Sequence, residues 1–281
     1  PGNIWTGFHT TFEGENRVFQ KTQIPFYIQG TPGGKDTVRA TVYNEKNEAI
    51  QRLHATGLLP GLNYLTWKLD EAGAPIPPAW MGEDERGIPV LPGRYPVVLE
   101  YRSFKDTSFV TVVADPRFNT LPEADIPLYA LRKAVHEQAT KLFSLLRQID
   151  QRVAATEKIE AHFARKTSEP DKNQLRTAAD MRAQLSALRL KGQPRPVNRQ
   201  VGAWQSTAVS PYSKVEEMVM IAAARTVPPS SQEWERLETA KALVEAYTTD
   251  VHAFLSGPWK RFEDTFRAIQ ASWFEGVQAP R

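Results

Sequence analysis

Between Ile24 and Val113 apolar and polar positions alternate in short runs separated by Gly, Pro and Asn. In Gly61-Leu62-Asn63-Tyr64-Leu65-Thr66-Trp67-Lys68-Leu69 the residues Leu65, Trp67 and Leu69 face one way. Leu62, Tyr64, Thr66 and Lys68 face the other, the two-residue period of a half-buried strand, with Gly61 and Asn63 supplying turn chemistry. Val38–Tyr43 alternates likewise, and the polar turn Asn44–Glu48 returns the chain into Ala49-Ile50-Gln51-Arg52-Leu53. Ile24–Ile28 reads as the first strand, and its Pro25 points to an edge or a strand start. Leu91-Pro92-Gly93-Arg94 is a turn before Tyr95–Tyr101, and after a further polar turn comes Ser108–Val113. Evenly spaced short strands with such turns predict an antiparallel β-sandwich.

Beyond Asp115-Pro116-Arg117 the period changes. Leu128, Leu131, Val135, Leu142, Leu145, Leu146, Ile149 and Val153 recur at three and four, and the pattern continues through Ile159 to Phe163. It predicts an amphipathic helix of about ten turns, with Glu137, Lys141, Arg147 and Asp150 on its other side. Ser168-Glu169-Pro170-Asp171 breaks it, and Leu175, Ala178, Met181, Leu185 and Leu188 mark a second helix ending at Lys191-Gly192. A third helix spans Tyr212 to Arg225. A fourth begins at Ser230 or Ser231 with Trp234, Leu237, Ala240 and Val244, and Gly257-Pro258 is expected to end it. A last short helix carries Trp259, Phe262, Phe266, Ile269 and Trp273. Helices of this kind with short connections pack as a bundle.

The fold expected is therefore all-β plus all-α. An extended aromatic lead-in covers residues 1–22, an Ig-like or fibronectin-like antiparallel β-sandwich 23–116, and an α-helical bundle 117–281. A length of 281 residues suits two domains, and 41% hydrophobic residues suffices for real cores. The net charge is +3, divided as −2 over residues 1–116 and +5 over the remainder. Neither part is basic enough for nucleic-acid capture to be its main task. With no cysteine, disulfides, thiolate metal sites and cysteine nucleophiles are excluded together. No apolar run approaches the roughly 20 residues that span a bilayer. The first residue is Pro1, so the chain is read as processed or as a piece of something longer.

Reactive constellations are missing from the pattern. Gly30-Thr31-Pro32-Gly33-Gly34-Lys35-Asp36 superficially resembles a phosphate loop, but the Gly spacing is wrong and Asp36 stands where Ser or Thr is required. It reads as a turn. His136-Glu137-Gln138-Ala139-Thr140 opens like a zinc-protease helix, yet Thr140 takes the place of the second histidine. No Gly-x-Ser-x-Gly elbow occurs. The acidic residues Asp70, Glu71, Glu83, Asp84 and Glu85 flank a Pro-rich loop too long and irregular to hold a catalytic pair at fixed separation. They match no calcium-loop spacing either, and read as a solvated flap. Trp67, Trp234, Trp259 and Trp273 fall on apolar faces and read as core, whereas Trp5, Trp80 and Trp204 lie in irregular segments. The basic residues Arg189, Lys191, Arg195 and Arg199 precede Trp204, a basic-plus-aromatic combination of the kind that grips single-stranded nucleic acid. In a domain only slightly basic it reads as a solvated loop or a contact for an acidic protein surface.

The order Val38–Tyr43, Ile50–Leu53, Gly61–Leu69, Val90-Leu91-Pro92-Gly93-Arg94-Tyr95 and Asp115-Pro116-Arg117 resembles the region after the propeller in bacterial sortilin-like, BNR-repeat proteins. Gly14-Glu15-Asn16 with Ile24–Ile28 fits the entry to that region. The strand portion is also similar to the Ig-like domain of flagellar hook-capping proteins. The resemblance implies a sandwich followed by a helical segment, here without a propeller. Members are often labelled glycosyl hydrolases, but such activity would belong to the propeller, and no catalytic residue carries over.

The functional expectation is a non-catalytic docking or scaffolding module, exported to the bacterial periplasm or cell surface, with no cofactor or metal. Its partner would be a propeller domain or other subunits of an assembly. Contact is expected through Trp5 and Phe8, through Trp80 and Met81, and through Arg189, Arg195, Arg199 and Trp204. The alternative is a carbohydrate-binding accessory module that presents Trp80 or Trp204 to polysaccharide. A hydrolase using Glu83, Asp84 and Glu85 is the third reading.

Overall fold

A computed structural model of the chain describes residues 22–73, 87–114, 125–193, 209–225 and 227–277. Six strands come first: β1 Thr22–Ile28, β2 Val38–Tyr43, β3 Ala49–Ala55, β4 Gly61–Trp67, β5 Gly93–Tyr101 and β6 Phe104–Val112. All pairings are antiparallel. β1 and β4 form a two-stranded sheet, and the other four form a sheet in the order β3-β2-β5-β6. The alternation dictates which side chains turn inward. Ile24, Ile28, Leu65 and Trp67 of the small sheet share one core cluster with Val38, Ala40, Val42, Ile50, Tyr95 and Val97 of the large one. Trp67 is fully buried, edge-on to Tyr95 with ring centroids 5.6 Å apart, and its Nε1 donates to the Asp70 carbonyl at 2.8 Å.

The turns explain themselves chemically. Asn63 closes the loop into β4: its Oδ1 accepts from Leu59 N at 3.0 Å and its Nδ2 donates to Leu59 O at 2.8 Å. Asn44 Oδ1 accepts from the backbone of Lys46 and Glu48, at 3.0 and 2.9 Å. Two boundaries differ from the alternation. β4 stops at Trp67 because Leu69 adopts φ 57°, a left-handed conformation that cannot continue a strand. β6 begins four residues before Ser108, since Lys105-Asp106-Thr107 is the charged end of an edge strand and not a turn.

The helices follow: α1 Asp125–Phe163, α2 Glu169–Gly192, α3 Pro211–Ala224, α4 Ser231–Phe254 and α5 Lys260–Arg267. Ser168 caps α2, accepting from Asp171 N at 3.3 Å, and Pro170 sits in the first turn where its missing N–H costs nothing. Gly257-Pro258 does not end α4 as expected. A π-turn over Leu255–Trp259 carries the helix straight into α5. Proline removes one ladder donor and crowds the preceding turn, and a widened turn accommodates both. Continuation is favoured because Leu255, Trp259, Phe262 and Phe266 stay on one buried face. Ile269, expected on that face, is exposed. Trp234 is half-buried rather than core.

The residues fall into two compact units, divided at His136/Glu137, Val219/Met220 and Ser230/Ser231. The first joins the sheets to the opening turns of α1 and the end of α3. There Arg132 caps α3, its guanidinium donating to the carbonyls of Ala222 and Arg225 at 3.1 and 3.0 Å. In the second unit Phe163, Trp259, Phe262, Phe266, Trp273 and Phe274 build an aromatic cluster with centroids 4.5–6.3 Å apart.

Candidate functional site

Two places in the first unit depart from ordinary core-and-surface patterning. The first is the outward face of the β1–β4 ribbon. The register pairs Gln23 with Thr66, Pro25 with Tyr64 and Tyr27 with Leu62. All six point away from the core, and none is charged. Tyr27 is 72% exposed, Leu62 57% and Tyr64 50%, so adjacent large apolar side chains stand together in water. Scattered exposed hydrophobics are normal, whereas here three large ones are neighbours on one sheet face. Both tyrosines combine a flat apolar ring with a polar tip, a combination common at interfaces.

The second place is the root of the long loop that follows β4. Glu71 is buried, 7% exposed, and both its carboxylate oxygens are engaged. The hydroxyl of Tyr129 donates to Oε1, and Lys133 Nζ donates to Oε2 at 2.7 Å. Tyr129 and Lys133 lie one helical turn apart on α1, so one face of the helix meets one carboxylate. The backbone holds Glu71 in place: its N–H donates to Ile88 O at 2.8 Å, and that of Ala72 to Ile50 O at 2.7 Å. Burial beside Glu71 pushes the Tyr129 hydroxyl well above the ordinary phenol range. Tyr95, buried and near Glu71 and Glu45, is pushed up to about 12. Neighbouring Asp70 is also raised, by burial, partly offset by a hydrogen bond from Gln51 Nε2 at 3.3 Å.

Each Glu71 oxygen thus accepts a hydrogen bond from a side chain of α1. The geometry is that of a strut fastening the loop root to α1. Among the described residues no group of three or more His, Cys, Asp or Glu is placed to hold a metal ion. Nor is any described helix long and apolar enough to cross a membrane.

The Gly30–Asp36 loop takes the turn form. Asp36 accepts from Gly33 N at 2.9 Å, from the Tyr101 hydroxyl at 2.7 Å and from Arg102 Nη2 at 2.6 Å. The hydrogen bond from Tyr101, then those from Gly33 and Arg102, hold this carboxyl below its usual range. Of the residues expected to meet a partner, Trp5, Phe8, Trp80, Met81, Arg195, Arg199 and Trp204 lie outside the described residues. Arg189 lies in the last turn of α2 and its Nε binds Asp150 Oδ1 at 2.5 Å, while Lys191 pairs with Asp250. Both cations are engaged within the helical unit. The ribbon face had a visible signal in the outward alternation of Tyr27, Leu62 and Tyr64. Glu71 had none, since its partners come from α1, some sixty residues further along. Comparison with protein-family models, with curated proteins and with solved structures finds no match to this chain.

Proposed function

We propose that this chain is a non-catalytic docking module of an exported multidomain protein or a larger assembly, in which an Ig-like sandwich and a helical bundle present surfaces to other proteins. The observation that carries this reading is the uncharged outer face of the β1–β4 ribbon, with Pro25, Tyr27, Leu62 and Tyr64 side by side and exposed. A protein surface with an apolar depression would bury these side chains, each worth about 1.5–3 kcal/mol when fully removed from water. The buried carboxylate of Glu71, held by Tyr129 and Lys133, supports a structural task for the loop root. The resemblance to the region after a sortilin-like propeller favours such a propeller as partner, and the bacterial periplasm or cell surface as location.

Carbohydrate binding is the second reading, favoured by the same two tyrosine rings, which offer flat faces for sugar stacking. Photo-crosslinking residues at positions 27 and 64 distinguish these readings in cells making the full-length protein. Docking predicts discrete protein adducts from both positions and none from a control at Lys105 on β6. Equal adducts from the control sink the docking reading. Polysaccharide titrations that shift tyrosine fluorescence, lost in Tyr27→Ala, would support the sugar reading instead.

A further inference from the structure

The four-stranded sheet has a second face, turned away from the core, and the register distributes charge on it unevenly. Val38, Ala40 and Val42 point inward and are buried, so Arg39 and Thr41 between them point out. Arg39 stands opposite His54 of β3 and Glu100 of β5, and Glu100 stands opposite Lys105 of β6. The next outward row is Arg52, Thr41, Val98 and Thr107. Pro96 with Phe109 and Arg94 with Thr111 complete the face. Arg39, Arg52, Arg94 and Lys105 are all exposed. The acid in these rows is Glu100, which Lys105 already binds at 3.1 Å. Residues 1–116 carry a net −2, so this face is opposite in sign to its own part of the chain.

The spacing and filling of the face indicate what it fits. Arg39 and Arg52 are diagonal neighbours on β2 and β3, about 7–8 Å apart. Arg94 lies six residues along β5 from the level of Arg39, about 20 Å away. Between them Thr41, Thr107 and Thr111 offer hydroxyls, and the half-buried Pro96 and Val98 form a small apolar floor.

We propose that this outer face binds a linear acidic polysaccharide of the uronic-acid class, with Arg39, Arg52 and Arg94 taking its carboxylates. A guanidinium pairs with a carboxylate through two parallel hydrogen bonds, and the threonine hydroxyls pair with sugar hydroxyls. The C–H faces of the sugar rings lie on Pro96 and Val98. Single-stranded nucleic acid fits less well. Phe109 carries the Arg94 guanidinium 3.8 Å above its ring, so that ring face is not a bare platform for a base. Three widely spaced arginines also neutralise few phosphates, and nucleic-acid affinity grows with the number neutralised. The proposal does not depend on the β1–β4 ribbon.

Calorimetric titration of the full chain with polygalacturonate fragments tests it, with neutral dextran as the uncharged probe. The expected result is saturable binding of polygalacturonate and none of dextran. Arg39→Gln combined with Arg52→Gln should weaken binding by about tenfold or more, and Arg94→Gln should weaken it separately. Tyr27→Ala on the ribbon and Lys172→Gln on α2 should leave it unchanged. No saturable binding by the unsubstituted chain overturns the proposal. Equal weakening in Lys172→Gln overturns it as general charge attraction, and loss in Tyr27→Ala overturns it by moving the sugar to the ribbon. Tighter binding of oligothymidylate at the same salt overturns it in favour of single-stranded nucleic acid.

Discussion

Two adjacent carboxylates, Asp70 and Glu71, sit at the root of one loop and differ in the company they keep. Glu71 has a hydroxyl and an ammonium on its two oxygens; Asp70 has burial, offset by a long hydrogen bond from Gln51 and by backbone hydrogen bonds from its own amide and Gly87. Replacing Glu71→Gln turns an amide donor toward Tyr129 or Lys133 and leaves a buried group unsatisfied. It should cost about 1–3 kcal/mol in urea unfolding, with Lys133 exposure keeping the loss below that of a fully enclosed pair. A double-mutant cycle with Tyr129→Phe should show coupling of about 0.5 kcal/mol or more, and strict additivity would remove Tyr129 from the strut. Asp70 behaves oppositely. Its folded pKa is raised, so its charge weakens the fold at neutral pH, and this penalty is relieved as pH falls through the raised value. Asp70→Asn should therefore stabilise the protein at pH 7, the gain fading below about pH 4. Asp36 is depressed chiefly by the Tyr101 hydroxyl, so its contribution is complete above the ordinary carboxylate value and disappears as pH falls through the lower folded one. In Asp36→Asn the acid limb of the melting-temperature profile should flatten.

At the scale of elements, close approach decides what pattern cannot. Gly192, in the last residue of α2, has Tyr247 of α4 so near that an added Cβ would lie 2.4 Å from the ring Cζ. Gly192→Ala should destabilise by about 1–3 kcal/mol, read from the urea midpoint, because the ring is itself buried and tied to Leu188 O at 3.2 Å. From sequence Gly192 signalled only a helix stop. The stop was right, since α2 ends there, but the packing role depends on a side chain more than fifty residues distant. The same division runs through the rest of the fold. Strands with strict alternation, such as Val38–Tyr43, and helices with a sustained stripe, such as α1, were legible because burial follows directly from local period. The failures arise where burial and local chemistry disagree. Gly257-Pro258 carries a strong local stop signal, and the buried row Leu255, Trp259, Phe262 and Phe266 overrides it. Arg152, a charged residue on which the period is silent, is 1% exposed with its guanidinium 5.5 Å from the Trp259 ring. The ribbon face was half legible: alternation put Leu62 and Tyr64 outward, but the register that brings Tyr27 beside Leu62 appears only in the folded chain.

For the molecule as a whole, the distribution of charge limits which forces can hold a partner. A net charge of +3 over 281 residues gives no strong field. In the helical unit prominent basic side chains already face acids: Arg189 with Asp150, Arg182 with Glu160, Lys141 with Glu245 and Arg236 with Glu217. Exposed pairs of this kind contribute at most about 1 kcal/mol each. The proposed interface centred on Tyr27, Leu62 and Tyr64 would be held instead by removal of apolar area from water, which salt does not screen. Raising sodium chloride from about 50 mM to about 500 mM contracts the screening length severalfold. The adducts formed at positions 27 and 64 should survive that change, and sulfate should strengthen them by favouring burial. Yields that collapse with sodium chloride would shift the contact to a charged surface and deprive the ribbon of its role.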